Sequence, residues 1–203
     1  EMVKKSKRKY YFDNQVLKLK KYRGKAFINI LGIPIRVSRK YYSSVYGPTL
    51  KNKTGFFSVR TGSLFKVRAL EQWWKMNKAT SFDEFYSILE MNEIPGYNIG
   101  YADKDDNIFY ISNGLIPIRN DKFKWTGVLP GNTSETLWTD YYKTHELPQV
   151  INPKSGYIYN ANHSPFLSTS IDENPNPQDF ASNMGFETFN NNRSTRIFEL
   201  VES

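Results

Sequence analysis

The sequence lacks several residue types on which common chemistries depend. It contains no cysteine, which excludes a disulfide framework and a thiolate-held metal site. Its two histidines, His145 and His163, lie far from any second metal ligand with suitable spacing, so a zinc or iron site is not expected. No glycine-rich phosphate motif is present, and no nucleophile-elbow motif surrounds Ser164. No run of about 18 apolar residues exists, so no membrane-spanning segment is expected.

Acidic residues are scarce in the first part of the chain. Residues 1–80 contain 20 Lys or Arg and 3 Asp or Glu, a balance of +17, whereas residues 81–203 contain 8 and 17, a balance of −9. A basic half interleaved with Tyr and Phe is compatible with a nucleic-acid surface. The basic residues are spread over several strand-like segments and not along one recognition helix. We therefore favour the interpretation that one half docks against the other, or offsets its charge, within a larger assembly.

The first 60 residues predict an antiparallel, mostly β meander. In YYFDNQVLKL, from Tyr10 to Leu19, Asp13 and Asn14 form a turn between two extended runs. Residues 25–37 form another extended pair, with breaks expected at Gly32 and Pro34. The alternation of Ile33, Ile35 and Val37 with Pro34, Arg36 and Ser38 predicts an apolar face turned inward and a basic face turned outward.

The middle of the chain changes to a helical period and predicts two helices, at about 67–77 and 81–91. The second has capping residues at Thr80 or Ser81 and an apolar stripe behind them. In the first, Leu70, Trp73, Trp74 and Met76 fall at helical spacing. We expect Trp73 and Trp74 to pack in the core and not to form a substrate platform.

A β-hairpin is predicted from Tyr97–Ala102 and Ile108–Ile111 around the polar segment 103–107. Asn98 and Arg119 lie at the outer ends of this stretch, where polar side chains can gather beside a site. An amide such as that of Asn98 can donate a hydrogen bond to developing negative charge. Three aspartates of the turn have the chemistry to hold a hard cation, but their spacing lacks the rest of an EF-hand loop. We therefore expect a solvated turn.

The remaining sequence is rich in loops, with a short strand expected at Tyr157–Ala161 and a helix at 191–201. The predicted fold class is α+β: an antiparallel sheet, a helix pair and a loop-rich C-terminal part. We divide the chain into a β meander (1–62), the helix pair (63–92), the hairpin with site residues (93–120), and the loop-rich region with its terminal helix (121–203).

Specific motifs give the hairpin a family resemblance. The motif residues are Asn98, Tyr101-Ala102-Asp103, Asn107-Ile108, Tyr110, Gly114 and Pro117-Ile118-Arg119. Further pieces follow in the same order as in the family: Tyr46-Gly47-Pro48, WTGVLP from Trp125, ELPQVINPKSGYIYNANHSP from Glu146, and Arg193 with Arg196-Ile197. Together they resemble the penicillin acylase family of N-terminal-nucleophile hydrolases, which includes cephalosporin acylases and acyl-homoserine lactone acylases. The resemblance covers nearly the whole chain.

The resemblance implies a fold and a chemistry. The fold would be a piece of the four-layer αββα N-terminal-nucleophile hydrolase architecture. The activity would be hydrolysis of an acyl amide by a precursor that cleaves itself, whose new N-terminal Ser is the nucleophile. By the match of motifs, Asn98 would be the oxyanion donor and Arg119 would orient the site. Tyr46, which stands where the family often has His, and Thr49 would line the substrate pocket.

The same resemblance sets expectations about partners and cofactors. No serine here is N-terminal, so we expect an internal piece of the large subunit that is inactive alone and is completed by the rest of the acylase. The acyl amide would be a small molecule, with no membrane partner and no nucleic acid, in a periplasmic or extracytoplasmic protein. No cofactor or metal is assigned to this piece, although the family often binds a structural calcium elsewhere. The alternative is a stand-alone β-rich binding module with a basic face for nucleic acid or an anionic partner.

Overall fold

In the computed structural model, which describes residues 1–64 and 66–202, the chain folds into two units. Unit 1 comprises Glu1–Leu64 and Arg119–Trp138, and unit 2 comprises Phe65–Ile118 and Thr139–Ser203. The predicted division into four consecutive segments stays a prediction.

Unit 1 contains two antiparallel sheets. The first has the order β1–β2–β3, and the second has the order β4–β5–β6–β7. The strand bounds are β1 Lys4–Ser6, β2 Lys9–Phe12, β3 Gln15–Lys18, β4 Lys20–Ile30, β5 Ile33–Ser44, β6 Gly47–Lys51 and β7 Phe56–Ser58. A cluster of buried side chains between strands and N-terminal residues forms the core of the unit: Met2, Tyr10, Leu19 and Phe56. The predicted β meander, including the turn at Asp13, is confirmed.

Strands β4 and β5 form a long hairpin whose turn lies at Leu31 and Gly32, both with positive φ. Two consecutive positive φ values define the tight turn whose twist matches that of antiparallel strands. The expected break at Pro34 is wrong, because Pro34 lies inside β5 opposite Asn29. Gly47 and Pro48 are the first two residues of β6.

The two faces of the β4–β5 hairpin differ in chemistry. One face carries most of the basic side chains: Lys21, Arg23, Lys25, Arg36 and Lys40. The other carries apolar side chains: Tyr22, Ile28, Ile30, Ile33, Ile35, Val37 and Tyr41. The predicted segregation of Ile33 and Ile35 from Arg36 is therefore confirmed. The expectation that this apolar face turns inward is wrong, because Ile33 is 65% exposed and Ile35 45% exposed.

In its described residues, unit 2 contains three helices and one antiparallel sheet. The helices are α1 Ala69–Met76, α2 Phe82–Leu89 and α3 Asn192–Val201. The sheet has the order β10–β9–β8, with bounds β8 Tyr97–Ala102, β9 Ile108–Asn113 and β10 Gln149–Ile151. The predicted helix pair and hairpin are confirmed. The core forms where α2 covers one face of this sheet, with Phe85, Leu89, Phe109, Ile111 and Leu147 buried together.

The predicted burial of Trp73 and Trp74 is wrong. Their side chains are 52% and 65% exposed, although the Trp73 ring meets the Tyr97 ring edge-on at 5.9 Å. The residue of α1 that is fully buried is Gln72. Its amide donates to the carbonyls of Ile88 and Leu89 and accepts the backbone N–H groups that follow α2, so a polar side chain joins the two helices.

The C-terminal part is irregular, as expected, but the strand expected at Tyr157–Ala161 does not form. The third strand of the sheet is β10, whose Val150 pairs with Tyr110. Six 3-10 turns punctuate the described part of this region and the end of unit 1: Ser134–Thr136, Thr144–Glu146, Pro165–Leu167, Ile171–Glu173, Pro177–Asp179 and Ser182–Met184. The terminal helix is confirmed as α3, capped by the Asn191 side chain, which accepts from Ser194 N at 3.0 Å.

The chain is therefore α+β, with antiparallel sheets and few helices. Across the residues that the structure describes, none of the helices is both long and apolar enough to cross a bilayer.

Candidate active site

Asn98 lies on β8 with its side chain exposed, on the face of the sheet opposite the core. Its Oδ1 accepts a hydrogen bond of 3.1 Å from the Tyr110 hydroxyl. Among the residues that the structure describes, no acceptor lies within hydrogen-bonding distance of its Nδ2. An amide held by its oxygen presents its two N–H groups in a fixed direction. The arrangement can therefore donate to a ligand oxygen at the surface.

Tyr110 lies on the adjacent strand β9, with its side chain 1% exposed. It pairs with Gly100, so it stands diagonally across from Asn98 on the same face. Asn160 Nδ2 donates to the Tyr110 hydroxyl at 3.4 Å, and the Asn160 Oδ1 accepts the backbone N–H of Asn162 at 3.1 Å. The Tyr110 oxygen thus accepts a hydrogen bond from Asn160, while its own hydroxyl proton is donated to Asn98.

Burial raises the pKa of the Tyr110 hydroxyl well above its ordinary value of 10.0. The hydrogen bond from Asn160 acts in the opposite direction, and the negative charge of Glu187 adds to the increase. Tyr110 therefore keeps its proton across the neutral range and remains a donor to Asn98.

The acidic turn between β8 and β9 is stabilised from within. Asp103 Oδ1 accepts the backbone N–H groups of Asp105 and Asn107, each at 3.0 Å, and Oδ2 accepts the Tyr101 hydroxyl at 2.8 Å. Desolvation favours a higher pKa for Asp103, but the hydrogen bonds from Asn107, Tyr101 and the backbone outweigh it and lower the pKa to about 2. Over residues 1–64 and 66–202, no group of three or more metal-ligating side chains is present.

Arg119 lies in unit 1, at one wall of a cleft of about 410 Å³. Its guanidinium stands 5.7 Å from the centre of the Trp125 ring. A second arginine of the cleft, Arg60, lies 4.4 Å above the Trp138 ring and donates to the Trp138 carbonyl at 2.9 Å. Guanidinium groups stacked on indole rings keep their planes fixed while retaining their charge. The cleft is therefore positively charged with aromatic walls.

Tyr46 and Thr49 both belong to unit 1, and Tyr46 lines the same cleft as Arg119. The Tyr46 hydroxyl donates to the Thr133 carbonyl and bonds Thr136 Oγ1 at 2.9 Å. Burial raises the pKa of Tyr46, and the bond to Thr136 partly offsets this. Thr49 is 7% exposed and bonds Ser58 Oγ at 2.7 Å. Their role in a substrate pocket stays a prediction.

Sequence reasoning did not identify Tyr110 and Asn160 as partners of Asn98. The register of β8 against β9 contains the signal for Tyr110, because the predicted hairpin places residues of both strands on one face. Asn160 had no comparable signal, since it lies in an irregular segment 50 residues away from Tyr110 along the chain.

His163 and Ser164 have structural roles in the described loops. His163 is 1% exposed, accepts the Ala161 N–H through Nδ1 and donates from Nε2 to the Leu167 carbonyl. The Ser164 hydroxyl accepts the Phe166 N–H at the start of a 3-10 turn.

The chain belongs to the penicillin amidase family, since the family model described as penicillin amidase matches residues 1–203. It is 25% identical over 163 residues to the acyl-homoserine lactone acylase PvdQ of Pseudomonas fluorescens (strain Pf0-1), covering 68% of this chain and 21% of that protein. It is 28% identical over 129 residues to the penicillin G acylase of Escherichia coli, covering 64% of this chain and 15% of that protein.

Among solved structures, the thermostable penicillin G acylase from Alcaligenes faecalis matches with a TM-score of 0.75 and 20% identity, over 96% of this chain and 33% of that one. The chain thus has the fold of part of a penicillin acylase. It spans about a fifth or less of the length of the two curated relatives and a third of the structural neighbour.

Proposed function

We propose that this chain forms part of an amidohydrolase that cleaves an acyl amide bond with an N-terminal Ser nucleophile lying upstream of residue 1. The α-amino group of that Ser would act as the base, because a free α-amine titrates at about 7.7–8.0, near neutrality. Attack on the acyl carbon would place a negative charge on the former carbonyl oxygen, and Asn98 would donate to that oxygen from Nδ2.

One observation carries this proposal. The Asn98 amide has its oxygen held by Tyr110 at 3.1 Å, and its N–H groups face away from the core. A fixed donor stabilises a developing oxyanion without needing to reorganise during the reaction. Ground-state substrate holds less charge on that oxygen, so the benefit would appear mainly in kcat.

Arg119 would orient the site and favour anionic groups. Support comes from the cleft of unit 1, where the Arg119 guanidinium lies 5.7 Å from the centre of the Trp125 ring. Tyr46 and Thr49 would shape the acyl pocket, although both hydroxyls are engaged in bonds within the unit.

The rest of the same acylase is the proposed macromolecular partner. Two exposed apolar areas support this: the apolar face of β4–β5, and the side chains of Leu70, Trp73 and Trp74 on α1. Apolar surfaces of this extent commonly mark interfaces. We expect the 203-residue chain to be inactive by itself, and hydrolysis of a phenylacetyl or fatty-acyl amide by the purified chain would contradict this expectation. The periplasmic or extracytoplasmic location rests on the family resemblance and is testable by cell fractionation.

The experiment is Asn98→Ala in the full-length protein, with a panel of phenylacetyl and fatty-acyl amides. We expect kcat to fall by about 10²–10³ with little change in KM, as for removal of one oxyanion donor. Ser112→Ala is the matched control, because Ser112 is the direct cross-strand neighbour of Asn98. A kcat for Asn98→Ala within a factor of two of the unmodified protein would refute the assignment.

A binding module is the second candidate, favoured by the basic face of the β4–β5 hairpin, where Arg23 stands opposite Lys40. Such a surface would bind nucleic acid mainly through phosphates, so its affinity would fall steeply with salt. A salt-sensitive mobility shift of DNA or RNA, lost on changing Arg23 and Lys40 to glutamine, would favour this candidate over the hydrolase.

A further inference from the structure

From the contacts around the sheet we infer that Tyr110, supported by Asn160, is a positioning residue that fixes the orientation of the Asn98 amide for oxyanion binding. This inference rests on the proposed function of Asn98 and extends it to two residues that never touch substrate. Its basis is a chain of side-chain hydrogen bonds that runs from a loop through a buried ring to the exposed amide.

An asparagine side chain can turn over by 180° about its last bond and exchange its oxygen for its nitrogen. For an exposed asparagine in water, the two orientations differ little in energy, because water both donates and accepts. Only the orientation with the nitrogen outward can donate to an oxyanion. A hydrogen-bond donor placed beside the amide oxygen therefore determines the fraction of protein molecules in which the amide can donate to the oxyanion.

Tyr110 has the properties that such a donor needs. It carries a single hydroxyl proton, its ring is 1% exposed and cannot swing away, and the 3.1 Å bond ends on Asn98 Oδ1. Strand pairing on both sides fixes its backbone, opposite Gly100 on β8 and opposite Val150 on β10.

Asn160 determines which way the Tyr110 proton points. Its Nδ2 lies 3.4 Å from the hydroxyl oxygen, and its own amide is oriented by the Asn162 N–H on Oδ1. With one acceptor position of the hydroxyl filled by Asn160, the tyrosine proton is directed to Asn98. In this series of hydrogen bonds, each amide oxygen therefore accepts from a fixed donor. Each amide nitrogen is then free to donate to the next group: that of Asn160 to Tyr110, and that of Asn98 to a ligand.

The principal test is Tyr110→Phe in the full-length protein, which removes the hydroxyl and leaves the buried ring. We expect kcat to fall about fivefold to tenfold with KM nearly unchanged, in line with the net value of one hydrogen bond. Tyr101→Phe is the matched control. It removes a hydroxyl from the same hairpin, bonded to Asp103 at 2.8 Å, on the core face.

The decisive measurement is the double variant with Asn98→Ala. If Tyr110 acts through Asn98, Tyr110→Phe produces no further loss in that background. An equal loss in both backgrounds, or an undiminished kcat for Tyr110→Phe alone, would overturn the inference while leaving Asn98 as the oxyanion donor. If Asn98→Ala itself leaves kcat unchanged, the proposed function and this inference fail together, so the two failures are distinguishable.

Asn160→Ala keeps the test available if Tyr110→Phe does not fold, because Asn160 is exposed and outside the core. We expect a smaller loss in kcat of about twofold to threefold, abolished in the Asn98→Ala background. A loss that persists unchanged in that background would show that Asn160 acts elsewhere and would overturn its place in the chain of hydrogen bonds.

Discussion

Replacing Gln72 with methionine removes a buried polar joint between α1 and α2 while nearly keeping the shape of the side chain. Gln72 is 0% exposed. Its Oε1 accepts the N–H groups of Glu93 at 2.7 Å and Ile94 at 2.9 Å, and its Nε2 donates to the carbonyls of Ile88 and Leu89. One side chain therefore satisfies backbone groups at the end of α2 and in the approach to β8.

The cost of this change follows from which groups would lose their only partner. The two carbonyls also accept backbone N–H groups, that of Ile88 from Met91 at 3.1 Å and that of Leu89 from Asn92 at 3.0 Å. The N–H of Ile94, a residue that is 1% exposed, would be left unpaired, at about 1–3 kcal/mol. The N–H of Glu93, which is partly accessible to water, adds to this cost. We therefore expect the free energy of unfolding to fall by about 2–4 kcal/mol.

Urea unfolding followed by circular dichroism measures the total, and hydrogen exchange at the Ile94 amide measures the local effect. In a chain of this size the melting temperature would fall by roughly 5–12 °C. Gln15→Met is the matched control, since Gln15 is exposed on β3 and the same change there should cost less than about 0.5 kcal/mol. A Gln72→Met variant as stable as that control would refute the reasoning.

Three further predictions concern stability. Leu89→Ala, at a site 0% exposed in the core with Phe109, should cost about 2–5 kcal/mol in urea unfolding, and a cost below about 1 kcal/mol would contradict that packing. Asn191→Ala should cost about 1–2 kcal/mol and speed hydrogen exchange in the first turn of α3; unchanged exchange would show that the cap is unimportant. Because the folded-state pKa of Asp103 is lowered from 3.8 to about 2, its stabilisation is present above about pH 4 and is lost as pH falls towards 2. Asp103→Asn should flatten that part of an acid-unfolding curve, and an unchanged curve would count against the cause assigned here.

The hairpin could be predicted from the sequence because its signals are local. A polar segment of five residues separates two runs rich in Tyr, Ile and Phe, and the Asp103 side chain closes the turn through bonds to residues two and four positions later. Nothing distant is needed to set its register. Helix α2 could be predicted for the same reason, because its N-cap, Ser81, immediately precedes the helix and its apolar stripe lies within it.

The orientation of α1 could not be predicted in the same way. Its largest apolar residues suggested that Trp73 and Trp74 pack in the core, but the side that packs inward contains Gln72 and, one turn later, Met76, with Ala79 beyond the end of the helix. A glutamine satisfied by four backbone groups from another segment is stable in a core, and those partners are 16 to 22 residues away. Hydrophobic periodicity predicts that apolar residues are buried. It contains no information about a buried glutamine whose hydrogen-bond partners lie in a distant segment.

Residues 157–161 illustrate a different limit. Tyr157 and Tyr159 have the composition of a strand, yet among the described residues the segment makes a single backbone–backbone hydrogen bond, from Tyr159 N to the Ser168 carbonyl at 2.9 Å. Its side chains are held by packing instead, with the Tyr159 ring stacked 4.9 Å from His163. The third strand is β10, which lies in the part of the sequence that was expected to be rich in loops. Strand composition identifies an extended segment but not the strand beside which it lies.

The position of the site follows from the period of two in the sheet. Alternation along β9 turns Phe109 and Ile111 towards the helices, and it turns Tyr110 towards the face that carries Asn98. A shift of one residue in either strand would bury the Asn98 amide without a partner and expose an apolar side chain, at a cost of several kcal/mol. The packing that holds the core together therefore also holds the amide and its tyrosine on the same side. For this reason the bond between Asn98 and Tyr110 is a consequence of the register and not an independent feature.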